Sequence, residues 1–107
     1  MSRPEAKIEE HLRRRVTAAG GLAEKIAPVR AGVPDRLVVL RGRVYLVELK
    51  APGGRVRPVQ RYWHGLAARA GVRVLILSSI REVDEFMNSV LGGDLDAHIQ
   101  NMQRQSS

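Results

Sequence analysis

Two apolar stretches with a helical pattern between them constrain this chain most. Val44–Lys50 (VYLVELK) and Val72–Leu77 (VRVLIL) read as strands, and Pro58 to about Ala70 carries Val59, Trp63, Leu66 and Ala70 at helical spacing. Strand, helix and strand of these lengths form a βαβ unit. Its strands run parallel, and its crossover is right-handed, because a right-twisted strand feeding a right-handed helix packs back onto the sheet only that way. Val72–Leu77 is interrupted only by Arg73 and reads as a buried strand. Ahead of this unit, Arg36–Leu40 and Val44–Lys50 flank Arg41-Gly42-Arg43, the turn of an antiparallel hairpin.

Residues 2–19 read as a helix. Ser2 and Glu5 have capping-box spacing, Pro4 sits in the first turn, Ile8, Leu12, Val16 and Ala19 recur on one face, and Gly20-Gly21 ends it. Leu22–Ile26 fits a short strand, and 28–34 and 52–57 fit loops. Gly71 suits the C′ position of the second helix. Ser79 with Glu82 forms a second capping box, before a third helix marked by Ile80, Val83, Phe86 or Met87, and Val90, and closed by Gly92-Gly93. The predicted order is α-β-β-β-α-β-α: an α/β domain over residues 1–93 with a small mixed sheet flanked by helices, followed by a polar tail over 94–107.

Composition narrows the function classes. The chain has 107 residues and no Cys, so thiol catalysis, Cys-ligated zinc and disulfides are excluded. With one Trp, two Tyr and one Phe, an aromatic base-stacking platform is disfavoured. No apolar run reaches membrane-spanning length and the N-terminus lacks a secretory h-region, so a soluble, intracellular protein is expected. The net charge is +7 and unevenly spread: residues 1–81 hold 17 of the 18 basic side chains and 6 of the 11 acidic ones. Fifteen of the basic residues are Arg, which forks phosphate with two parallel hydrogen bonds. A basic surface of this kind attracts a polyanion, most commonly nucleic acid.

The chemistry collects at one end of the hairpin. Side chains alternate along a strand, so Val44, Leu46, Glu48 and Lys50 share one face, with Glu48 and Lys50 at the C-terminal end. Asp35 begins the neighbouring antiparallel strand, which places it beside them. Two carboxylates this close resist joint ionisation unless a cation lies between them. Mg²⁺ accepts one or two carboxylates and keeps several waters. Lys50 would then face a bound water or a phosphate, an arrangement suited to phosphodiester hydrolysis. Glu-x-Lys by itself is more often an exposed pair on a strand edge; Pro34-Asp35 placed 13 residues upstream across a hairpin makes the set specific.

The segments Gly-Val-Pro-Asp-Arg-Leu-Val (32–38), Val-Glu-Leu-Lys-Ala-Pro-Gly (47–53) and Arg-Pro-Val-Gln (57–60) resemble the VRR-NUC branch of the PD-(D/E)xK nucleases, and the likeness extends over roughly residues 5–90. The resemblance implies a restriction-endonuclease-like fold. It implies metal binding by Asp35, Glu48 and the Leu49 carbonyl, assistance to the attacking water by Lys50, and a motif glutamine at Gln60, near the start of the second helix, placed for a water or phosphate contact above the site. A glutamate of the first helix usually completes such sites. Glu9 is favoured because it flanks the buried stripe; Glu5 is the alternative, although the capping box already accounts for it; Glu10 lies about 100° away. Lys25, Arg30, Arg36, Arg55, Arg57 and Arg61 border the site in sequence and are candidates for phosphate contacts, though any one of them alone is more often a solvated charge. His11, His64 and His98 share no ligand or dyad spacing and read as surface or interface residues, and Trp63 reads as core.

The expected function is therefore a Mg²⁺-dependent endodeoxyribonuclease, with Mn²⁺ able to substitute, acting on branched or structured DNA. Small standalone members of the family are viral or bacterial and resemble Holliday junction resolvases, which implies a homodimer in the cytoplasm of a bacterium or infected cell. A flap or nicked-duplex nuclease of the same fold, and a basic binding module without chemistry, are the alternatives. The acidic third helix and tail would be the dimer surface.

Overall fold

A computed structural model of the chain describes residues 4–27 and 29–92. Ser2, Gly93, His98 and the tail lie outside them. The described elements are α1 (Pro4–Ala18), β1 (Leu22–Lys25), β2 (Arg36–Leu40), β3 (Arg43–Leu49), α2 (Pro58–Arg69), β4 (Leu75–Leu77) and a third helix, α3, over residues 80–92. The element order is the one read from the sequence. The sheet runs β1-β2-β3-β4, with β1/β2 and β2/β3 antiparallel and β3/β4 parallel.

The sheet separates two helical layers. On one face, Ile8, Leu12 and Val16 of α1 meet Val38 and Leu40 of β2, Val47 and Leu49 of β3, Leu77 of β4, and Val83 and Met87 of α3 in one core. Each such aliphatic side chain contributes roughly 1.5–3 kcal/mol by leaving water. Outside the core, α1 and α3 are clasped by Asp84, whose Oδ1 accepts from Arg15 Nη1 at 2.6 Å and meets His11 Nε2 at 2.7 Å. On the other face, α2 covers the C-terminal half of β3, and Val44 near the strand's start stays open.

Two turns set the site. The hairpin closes through Arg41 (φ 54°) and Gly42 (φ 76°), a two-residue turn with both φ positive, as hairpin twist prefers, so β3 already starts at Arg43. Gly32 (φ 94°) lies so close to α2 that a Cβ there would come within 2.4 Å of the Val59 carbonyl oxygen. That approach seats the loop before Asp35 on the first turn of α2.

Three expectations need correction. The inward face of α2 is centred on Gln60, His64 and Ala67 instead of Val59, Trp63, Leu66 and Ala70; Val59 is 37% exposed, while Gln60 and Ala67 are buried and Trp63 and Leu66 are half-buried. Both stripes satisfy helical spacing, and the one carrying Gln60 and His64 is masked by its polarity. Second, the strand expected over Val72–Leu77 is only Leu75–Leu77, with Val72 and Ile76 largely exposed. It is the edge strand, and α2 covers Glu48 without reaching its neighbour Ile76. Third, the Ser79–Glu82 box is half as expected: Glu82 N–H donates to Ser79 Oγ at 3.0 Å, but Glu82 Oε1 accepts from the N–H and hydroxyl of Ser78.

Candidate active site

The hairpin register brings the two carboxylates together. Arg36 pairs with Val47, so the next step outward sets Asp35 opposite Glu48. On its other side Asp35 is tied to the chain after β1, since its carbonyl accepts from Ile26 N–H at 2.9 Å. Glu48 is 3% exposed, deeper than its place at a strand end implies, because α2 lies over it. Burial, and then the charge of Asp35, push the Glu48 carboxyl up to about 7; Lys50 and Arg57 pull the other way, and Glu5 adds to the rise. Asp35 Oδ2 receives Arg36 at 3.0 Å, whereas Asp35 Oδ1 and Glu48 Oε1 are buried with no hydrogen-bond partner.

Lys50 follows β3, is half-buried, and is held by its N–H donating to the Leu77 carbonyl at 3.0 Å. Its charge acts on both Glu48 and His64. Leu49 buries its side chain in the core on the opposite face, so it offers the site only backbone.

Gln60 and His64 lie one turn apart on the inward face of α2. Gln60 is 5% exposed, and its Oε1 accepts from the N–H of Arg57 at 2.8 Å. Gln60 is therefore buried, and its Oε1 satisfies a donor at the start of α2. His64, expected at the surface, is 14% exposed at its side chain, and its Nε2 lies 3.7 Å from Glu48 Oε1. Burial and the charge of Lys50 both lower its pKa, which favours the neutral imidazole. No spacing among His11, His64 and His98 points to this place; the signal in the sequence is its position four residues after Gln60, on the same helix face.

The helix-one glutamates separate. Glu9 binds the Arg36 guanidinium, which is itself 6% exposed and also donates to the Asp35 carbonyl oxygen at 3.0 Å. Glu9 is thus a partner for a buried cation, and Glu5, one turn earlier, is the carboxylate of α1 whose charge acts on Glu48. The same contact removes Arg36 from the set of outward phosphate contacts. Arg30 and Arg57 do meet beside Asp35, in a groove of about 340 Å³ walled by Ile26, Val29 and Pro34. Arg55 and Arg61 are exposed nearby in sequence, while Lys25 lines a separate small cleft with Glu9 and Arg36.

These donors suit a hard divalent cation. Among the described residues no three His, Asp or Glu side chains form a ready cage. Mg²⁺ does not require one, since it takes one or two carboxylates and retains waters. Two facing carboxylates, an unpartnered buried oxygen on each, and a carboxyl lifted by burial and then by its neighbour are the electrostatic demand such an ion meets.

Comparison with known proteins gives one consistent result. The VRR-NUC domain profile matches residues 3–80. "Putative nuclease p44" of Acyrthosiphon pisum secondary endosymbiont phage 1 is 44% identical over 77 residues, covering 70% of this chain and 83% of that protein. A solved structure described as a VRR_NUC domain superposes with a TM-score of 0.74 at 30% identity, covering 81% of this chain and 97% of that one. No helix among the described residues is long and apolar enough to cross a membrane.

Proposed function

This chain belongs to the VRR-NUC family, of PD-(D/E)xK fold, and on that premise we propose that it is a divalent-metal-dependent endonuclease that hydrolyses phosphodiester bonds in branched or structured DNA. The observation that carries the reading is the meeting of Asp35 and Glu48 across β2 and β3, with Lys50 two residues beyond Glu48.

Asp35, Glu48 and the Leu49 carbonyl would hold the cation, with Glu5 reaching it from α1. A bound Mg²⁺ or Mn²⁺ supplies acidity to a water and draws charge from the phosphate. The Lys50 ammonium would offset negative charge gathering on the non-bridging phosphate oxygens. In the hydrolysis a water oxygen bonds to phosphorus as the bond to one ester oxygen breaks; one water proton passes by way of solvent to the departing oxygen, which leaves as a hydroxyl end, and the other remains with the new phosphate end. Arg30 and Arg57 hold the flanking backbone by phosphate contacts, which orient DNA without reading sequence.

A single 107-residue chain holds one such site, and paired incision of a four-way junction needs two, so a two-fold homodimer accompanies a resolvase role. The third helix is a less open dimer surface than its acidity implies, because Val83 and Met87 face the core and Asp84 is engaged by Arg15 and His11.

The test is incubation with Mg²⁺ and end-labelled four-way junction, flap, nicked and linear duplexes, beside sedimentation mass. Symmetric paired nicks from a dimer support the resolvase. Preferential cutting of flaps or nicked duplex keeps the chemistry and replaces the substrate. Tight binding with no cutting under Mg²⁺ or Mn²⁺ leaves a binding module.

A further inference from the structure

We infer that His64 is a positioning residue for Glu48: its Nε2–H is the donor that fixes Oε1 of the carboxylate, so that Glu48 meets a divalent cation in one orientation. The inference rests on the metal-dependent reading above and adds a residue to it.

Two buried polar atoms face each other without other partners. Glu48 Oε1 and His64 Nε2 both lack a hydrogen bond, and they lie 3.7 Å apart, on β3 and α2 respectively. A buried carboxylate oxygen needs a donor, and a buried imidazole N–H needs an acceptor. At 3.7 Å the bond is not made, but a side-chain shift of under about 1 Å brings the pair to hydrogen-bond length. An imidazole with its N–H on Nε2 serves this contact.

The surroundings leave His64 little freedom. Gln60, one turn earlier, is locked to the N–H of Arg57, and Gly32 lets the loop before Asp35 press onto Val59. Thus the start of α2 is capped and the loop before Asp35 packs on it, and the helix carries the imidazole towards Glu48. A carboxylate oxygen has two lone-pair sites, so a bond from His64 leaves Glu48 able to ligate. Hydrogen-bond partners that orient ligating groups are typically worth 10–100-fold in metal affinity.

The test is Mn²⁺ affinity by calorimetry on the full chain, with melting temperature recorded for each variant. His64→Ala should weaken Mn²⁺ binding about 10–100-fold. His64→Gln, whose amide N–H reaches a similar point, should recover most of it. Unchanged affinity in folded His64→Ala overturns the inference while leaving the metal site intact. Failure of His64→Gln to rescue, in a folded protein, also overturns it. Nitrogen coupling to bound Mn²⁺ in pulsed electron paramagnetic resonance overturns it as well, by making His64 a ligand. A folded wild type that binds no Mn²⁺ removes the metal-dependent reading itself, and the inference with it.

Discussion

Asp35 and Glu48 stand opposite each other one step beyond the last rung that β2 and β3 share, Asp35 with one oxygen on Arg36 and Glu48 with Oε1 unpartnered. The strain on Glu48 comes first from burial and then from the charge of Asp35, and it has a sign. Glu48 titrates near 7 in the fold against 4.5 in a free chain. Below pH 4.5 both states are protonated and the fold bears no penalty. Between about 4.5 and 7 the unfolded chain is ionised while Glu48 in the fold keeps its proton, so stability falls; above that range both are ionised and the loss levels off. A shift of this size corresponds to about 3 kcal/mol at most. Denaturant unfolding in chelator should therefore show lower stability at pH 8 than at pH 5. Glu48→Gln should flatten that slope and be more stable than the metal-free wild type at pH 8. Mg²⁺ at pH 8 should restore stability to the wild type alone.

The two helix-one glutamates should behave differently. Glu9→Gln removes the charge partner of buried Arg36 and should destabilise the fold by roughly 1–3 kcal/mol, with metal affinity largely kept. Glu5→Gln should leave the melting temperature nearly unchanged and weaken Mn²⁺ binding. Thermal melting and calorimetry on both variants decide which carboxylate serves the site.

Gln60 should act through its cap. Gln60→Ala loses the acceptor for the Arg57 N–H and should cost about 1 kcal/mol. Gln60→Glu keeps an acceptor at the same place and should hold the melting temperature near that of the wild type.

Most of the scaffold was legible in the sequence, and the reasons are local. The βαβ unit and the hairpin follow from strand patterning, so the element order matches expectation; the turn is one residue shorter than expected, and that register sets Asp35 opposite Glu48. The helical stripe Ile8, Leu12, Val16 was equally plain. What periodicity could not resolve was polarity facing inward. The buried face of α2 carries Gln60 and His64, polar residues outside the apolar stripe, and His64 reads as a surface or interface residue until Glu48 is seen beneath it. Arg36 and Glu9 read as a phosphate contact and a metal ligand, and they satisfy each other instead, since a strand-face arginine behind Asp35 points to α1. The short β4 reflects its edge position, which no run of apolar residues reveals.

Binding to DNA should be steeply salt-dependent through release of counterions from the backbone. Arg30→Ala and Arg57→Ala should each lower the log–log salt slope by about 1 and weaken binding evenly across sequences. Arg36→Lys should not lower the slope, and should appear as lost stability, because that side chain is occupied inside the protein. Fluorescence anisotropy over a range of salt concentrations reads all three.

The most direct measurement is single-turnover incision of an end-labelled four-way junction and a flap by the wild type, Glu48→Gln and Lys50→Ala, each with Mg²⁺ and with chelator. Incision by the wild type that requires Mg²⁺ and is lost in both variants is the expected result. Incision that persists in chelator, or that Glu48→Gln performs at the wild-type rate, contradicts a metal-dependent centre built on Asp35 and Glu48.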